Sequence, residues 1–382
     1  MPFIYFIFSF FFLLSCSQHQ GPQSKFAVRQ SKSLRQTYEA TASHFVIATL
    51  GLESTRAAKE IYAEGGNLVD AAIASSFVIS VERPQSTGLG GGGFLLYRDG
   101  KSKKVYAIDF RERAPLAAKE KMFLDKQGNI IPKLSTTGIL ASGTPGIVAG
   151  LWEIHQKFGR LPWQRLLQHA IDLAEKGLVV YDDLAKAMKS EAEVLAQFPE
   201  SKKIFLKSNG EAYRVGDKLA QKDLARTLKL IADQEPSVFY RGEIANKIIA
   251  ENKAHGGLMR SKDLANYKVY WRKAARGKFK EYEVVSFPPP SSGGAHVIEI
   301  LNILENDPLQ QYGFWSTNSV HLTSAAMQLA FADRAKFLGD PDFVKVPLRG
   351  LTSKSYAAKQ RKLIDLARAR NIGWQSAALR KH

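Results

Sequence analysis

Four consecutive glycines at positions 90–93 run straight into the apolar stretch FLLY (94–97). A second β-rich run, VYAIDF (105–110), follows after Arg98-Asp99-Gly100-Lys101. An Asp-Gly between two such runs signals a hairpin, so the chain cannot be all-helical. Arg111 then emerges where the second strand ends, able to project past a sheet edge. Because a strand and not a helix follows the glycines, they form neither a dinucleotide fingerprint nor a P-loop. They suit close backbone packing or an anion nest.

Helical patterns surround the hairpin. Residues 54–64 place Ala57, Ala58, Ile61 and Tyr62 on one stripe, with Gly65-Gly66 as the stop. Asn67 opens a second helix of small residues that Pro84 ends. Segments 146–158, 162–175, 183–198, 222–234 and 243–253 repeat the helical spacing. Strand-like stretches lie near 267–271 and 282–287, the latter closed by three prolines at 288–290. Further helices are expected over 291–305, 318–337 and 354–370. Helices on both sides of paired strands imply a layered α/β architecture, and 382 residues suit one large domain or two modest ones.

At 45% hydrophobic and 24% charged residues the composition is globular, which excludes a disordered chain. The lone Cys excludes a disulfide framework and a cysteine-held metal cluster. The net charge of +18 invites a nucleic-acid reading, but signs are mixed except over 354–382, where eight basic residues face one acidic. No nucleic-acid motif accompanies them, so a solvated cationic surface is the reading and no nucleic-acid partner is expected. The uncharged start MPFIYFIFSFFFLLS is short of the roughly 20 residues a bilayer needs. It has the length of a secretory signal, and Leu13-Leu14-Ser15-Cys16 resembles a bacterial lipobox, which marks Cys16 for lipid attachment. The expected layout is a signal peptide over 1–15, an exposed tether over 16–44, a domain over 45–365 and a divergent basic tail over 366–382. Such a protein is exported, to the periplasm or as an outer-membrane lipoprotein, with lipid-anchored membrane association.

Few residues advertise chemistry on their own. Ser291 and Ser292 precede a helix near His296, where a serine N-cap is the commoner use. The eight histidines show no paired spacing, so no metal site is expected. Asp333, Asp340 and Asp342 lack a calcium-loop pattern, and Pro341 favours a turn. Arg111, flanked by Asp109 and Glu112, is either a paired surface arginine or a site residue.

The strings EGGNLVDAA (64–72), GLGGGGF (88–94), AIDFRERAP (107–115), ASGTPGIVAG (141–150), PPPSSGG (288–294) and FADRAKFLGDPDFVKVP (331–347) together resemble the gamma-glutamyltransferase (gamma-glutamyltranspeptidase, glutathione hydrolase) family. The resemblance covers roughly residues 45–365. It implies an N-terminal nucleophile hydrolase-like αββα sandwich, incomplete here as the large-subunit part, and no cofactor. It also implies cleavage of the γ-glutamyl amide of glutathione or other γ-glutamyl compounds, with transfer to water, amino acids or peptides. Family members cut themselves in two, and the new N-terminal Thr of the small subunit is the nucleophile. Arg111 matches the family arginine that grips the glutamyl α-carboxylate. No Thr follows Thr352, so no catalytic residue is assigned in this chain and a small-subunit polypeptide is its expected partner. The expectation is a truncated gene product, or a separately encoded large subunit, inactive alone. The alternative is a degenerate lipoprotein that binds glutamyl peptides without catalysis.

Overall fold

A computed structural model describes residues 41–369. The apolar N-terminus, Cys16, the tether up to residue 40 and the tail from residue 370 lie outside the described residues. The chain divides into a unit ending at Val46 and a far larger one from Ile47, which holds every element below.

Helix α1 (Leu52–Ala63) buries Ser54, Ala57, Ala58 and Ile61, an i, i+3, i+4, i+7 stripe. No local side chain caps it. Instead the Glu82 carboxylate accepts from the N–H groups of Glu53 and Ser54, each at 3.0 Å, where the helix dipole favours negative charge. Gly51 permits this approach, because a Cβ there would fall 1.9 Å from Glu82 Oε2.

Helix α2 (Leu68–Glu82) is buried nearly all round and forms the centre of the larger core. Asn67 starts it: its Oδ1 accepts from Val69 and Asp70 N–H, while the Asp70 carboxylate accepts from Asn67 N–H at 2.9 Å. Asp70 also takes the N–H groups of Arg160 (3.0 Å) and Leu161 (3.3 Å). Those two lie in the turn between α3 (Ile147–Phe158) and α4 (Trp163–Lys176). The EGGNLVDAA string is therefore a clamp between two helix pairs. Beneath it the Phe77 and Trp163 rings meet edge-on at 5.4 Å.

Strands β1 (Gly93–Arg98) and β2 (Val105–Phe110) form the antiparallel hairpin. Short strands β3 (Leu178–Val179) and β4 (Lys218–Leu219) pair elsewhere. Strand β5 (Tyr270–Arg272) joins β2 to give the sheet order β1-β2-β5, and β6 (Ala275–Phe279) pairs with β7 (Tyr282–Ser286). A second, smaller core lies among the helices Gly293–Leu304, Thr317–Phe337 and Lys354–Arg361.

Four local expectations change. The hairpin bend is not a two-residue Asp-Gly turn: it spans 99–104, because Asp99 Oδ1 captures the N–H groups of Lys101 and Ser102, and Lys103 takes the left-handed φ of 59°. The helix expected over 183–198 breaks at Glu191 into Asp182–Ser190 and Ala192–Ala196. The helix expected over 354–370 stops at Arg361, whose guanidinium turns back to the Ile364 carbonyl and to Asp307. Strand β6, with the basic sequence ARGKF, has no apolar alternation to announce it.

Candidate functional site

The register of the three-stranded sheet sets Phe94, Asp109 and Tyr270 side by side, so their side chains share a face. Asp109, 2% exposed, is held at both oxygens: Oδ2 accepts from Arg272 Nε at 2.7 Å, and Oδ1 from the Arg111 N–H at 3.1 Å. The rest of the Arg272 fork grips Asp342 through two bonds of 2.9 Å. These bonds, Asp342 first, raise the guanidinium pKa further. Arg113 lies 4.1 Å over the Tyr270 ring and 3.8 Å from Asp342.

Phe110 faces the opposite way, and the glycines of two motifs exist to admit it. A Cβ on Gly150 would sit 2.2 Å from its ring, and one on Gly92 or Gly146 would sit 2.4 or 2.0 Å from its carbonyl oxygen. The Gly91 carbonyl accepts the N–H groups of Gly146 and Ile147 at the start of α3. Glycines 91 and 92 therefore serve close packing, and none of glycines 90–93 adopts a positive φ. Backbone bonds between Arg113 and Thr144 tie the strand exit to the ASGTPGIVAG loop.

Arg111 sits at this strand exit. Its carbonyl accepts from Tyr267 Oη at 2.8 Å, its Nε donates to Glu112 Oε2 at 3.0 Å, and its guanidinium carbon lies 5.5 Å over the Phe94 ring. Burial keeps the Tyr267 hydroxyl protonated far beyond the ordinary tyrosine range, so it remains a donor. The Arg111 side chain is 56% exposed, and among the described residues its two terminal nitrogens have no hydrogen-bond partner. A planar fork with two free N–H edges is suited to a bidentate carboxylate. Of the two readings left open by the sequence, the geometry shows the ion pair, through Nε to Glu112, and leaves the tip of the guanidinium exposed.

Four of the six motif strings converge here, with Asp342 closing the far side, and Phe287, just before the prolines, packs its ring on Phe94 at 4.2 Å. The serines do not join as chemistry. Ser292 makes no cap bond, contrary to the N-cap expectation; Ser291 Oγ instead accepts the Gly293 N–H at 3.3 Å. His296 is buried with its ring beside Phe331; among the described residues Nε2 has no partner, and burial lowers its pKa. The segment 340–344 is a turn closed by Asp340, as expected, while Asp333 sits in a helix. Asp333 faces Glu299, which is fully buried and, among the described residues, has no N–H or O–H donor on either oxygen. The two carboxyls can bond only when a proton lies between them. Burial, then the Asp333 neighbour, pushes Glu299 up to about 9. Asp109, Arg272, Tyr267 and Glu299 were not singled out beforehand. The available signal was an acid inside an apolar run, in VYAIDF and again in HVIEIL.

The helices around a central hairpin make an α/β chain, and the solved structures it resembles place it in the N-terminal nucleophile hydrolase class, as the large-subunit part of an αββα sandwich. The chain belongs to the gamma-glutamyltranspeptidase family, whose model matches residues 54–380 and so runs through most of the basic tail. It is 45% identical over 330 residues to the glutathione hydrolase proenzyme of Escherichia coli (strain K12), an alignment covering 86% of this chain and 57% of that one. It superposes on Helicobacter pylori gamma-glutamyltranspeptidase with TM-score 0.84 and 38% identity, covering 88% of this chain and 98% of the solved one. Cephalosporin acylase from Bacillus halodurans matches with TM-score 0.73 and 27% identity, over 86% of this chain and 63% of that one. The chain thus spans little more than half the Escherichia coli precursor.

Proposed function

We propose that this chain is the substrate-gripping part of a γ-glutamyl hydrolase or transferase, acting on glutathione or related γ-glutamyl compounds. The observation that carries the reading is the open tip of Arg111, held at a strand exit on which four motifs converge. Its fork takes the glutamyl α-carboxylate in two parallel bonds, and fixing that end places the γ-carbonyl for attack. The attacking Thr hydroxyl, whose own α-amino group serves as base, and the oxyanion donors come from a small-subunit polypeptide corresponding to the share of the precursor this chain does not span. The 382 residues alone are therefore expected to release no product from a chromogenic γ-glutamyl anilide, and turnover is expected once such a polypeptide is co-produced. In that assembly Arg111→Lys, which loses the fork, raises KM about tenfold or more; an unchanged KM refutes the assignment. Calorimetric binding of glutamyl peptides with no turnover in any assembly would favour the degenerate binding lipoprotein.

Export by the apolar leader, with lipid attached at Cys16, a tether to about residue 44 and periplasmic or outer-membrane residence, belongs to the same proposal. Intact mass of the mature protein tests it: lipidation leaves an N-terminal diacylglyceryl cysteine, whereas an unmodified Met1 rejects it.

A further inference from the structure

We propose that Asp109, Arg272 and Tyr267 are positioning residues for Arg111: they set the direction in which the strand end presents its guanidinium. The inference rests on the reading of Arg111 as the carboxylate ligand. An arginine carries about 2 kcal/mol of rotamer entropy, so an exposed one points usefully only if its backbone is fixed. Here that backbone is held on both sides of one residue. The Asp109 carboxylate takes the Arg111 N–H, which turns the chain out of the sheet, and the Tyr267 hydroxyl takes the Arg111 carbonyl. The Phe94 ring then supports the guanidinium from below.

Asp109 can hold that angle only because its other oxygen is pinned by Arg272, and Arg272 is pinned in turn by both oxygens of Asp342. Three charged side chains on β2, β5 and the 340–344 turn thus form one relay ending at the Arg111 amide. The Asp109–Arg111 contact is an Asx turn, and the Arg272 bond to the other oxygen is what couples that local turn to β5 and to Asp342. The relay also gives the GDPDF turn a role in substrate binding without touching substrate.

The test uses the full chain co-produced with a small-subunit polypeptide taken from the Escherichia coli relative, and a chromogenic γ-glutamyl anilide. Arg272→Met is expected to raise KM about tenfold with kcat within about twofold, and Arg272→Lys to recover part of the loss. Arg272→Met strands a buried carboxylate, so Arg272→Lys, which keeps a cation opposite Asp109, is the variant that preserves the fold. If both variants keep the parent KM while Arg111→Lys raises it, the relay is refuted and the Arg111 reading survives. If Arg111→Lys also leaves KM unchanged, the Arg111 reading fails and the relay with it. Amide hydrogen exchange on the 382-residue chain decides independently of turnover. Arg272→Lys should speed exchange at the Arg111 N–H at least about tenfold while α1 and α2 stay protected. Unchanged exchange at that amide overturns the proposal.

Discussion

The core around α2 and the smaller core among the helices Gly293–Leu304, Thr317–Phe337 and Lys354–Arg361 treat buried acids in opposite ways. In the first, Glu82 meets two backbone N–H groups, Asp70 meets three, and Asp109 meets one plus the Nε of Arg272. In the second, Glu299 meets only another carboxyl, and Asp333 already serves Tyr356 Oη and Gln360 Nε2 at 2.7 and 2.8 Å. The surroundings differ as well. Beside the second core Phe314 and Trp315 are 92% and 74% exposed, and Val320 and Met327 also face water. The acids of the first region have their oxygens satisfied by donors, whereas burial without donors drives Glu299 to keep its proton. Each of these acids in the first region finds its donors among the described residues. The second stands on one proton and leaves apolar surface uncovered.

Three measurements break or sharpen this contrast. The largest effect belongs to Phe77→Ala: the side chain is fully buried against Trp163, and its loss should cost about 3–5 kcal/mol. Chemical denaturation should report the same loss at pH 5 and at pH 8, since no titrating group is involved.

The second effect depends on pH. Folded Glu299 keeps its proton up to about 9, whereas an ordinary glutamate loses it near 4.5. Between those values the folded state binds the extra proton, so stability falls as pH rises, by at most about 1.4 kcal/mol per unit. Other groups facing the pair are His296 and Arg334, and Tyr356, whose pKa burial and Asp333 raise. Glu299→Gln keeps a donor toward Asp333 but cannot ionise. It should flatten the decline from pH 5 to 8, and a decline as steep as the parent's would remove the shared proton. A carboxylic-acid C=O band in the infrared at pH 7, absent in the variant, checks the same point.

The smallest effect is expected at the exposed Lys186–Asp182 pair. Lys186→Ala should move stability by no more than about 0.5 kcal/mol. A larger loss would mean that surface charge, rather than buried acids, separates the two regions.

Much of the site was legible because its signals are local. The hairpin, Arg111 at its exit, the Asn67 start and the stop before Pro84 each follow from a handful of adjacent residues, as the backbone rules for strands, caps and prolines do. What escaped joins distant positions. Asp109 and Arg272 are 163 residues apart, Tyr267 and Arg111 156, and no spacing rule links residues that meet only across a sheet or a loop. Ser292 illustrates the converse: its place before a helix suggested a cap, but the neighbouring Ser291 hydroxyl took the N–H instead.

By itself the amino-acid sequence determined the α/β class, the place of Arg111 at a strand exit and a glycine run suited to close packing, because strand alternation, turn chemistry and the absence of a Cβ act over a few residues. Only the tertiary structure decided which charges meet. Whether an acid inside an apolar run finds an arginine, as Asp109 does, or a second acid, as Glu299 does, depends on which chain segments packing brings alongside it.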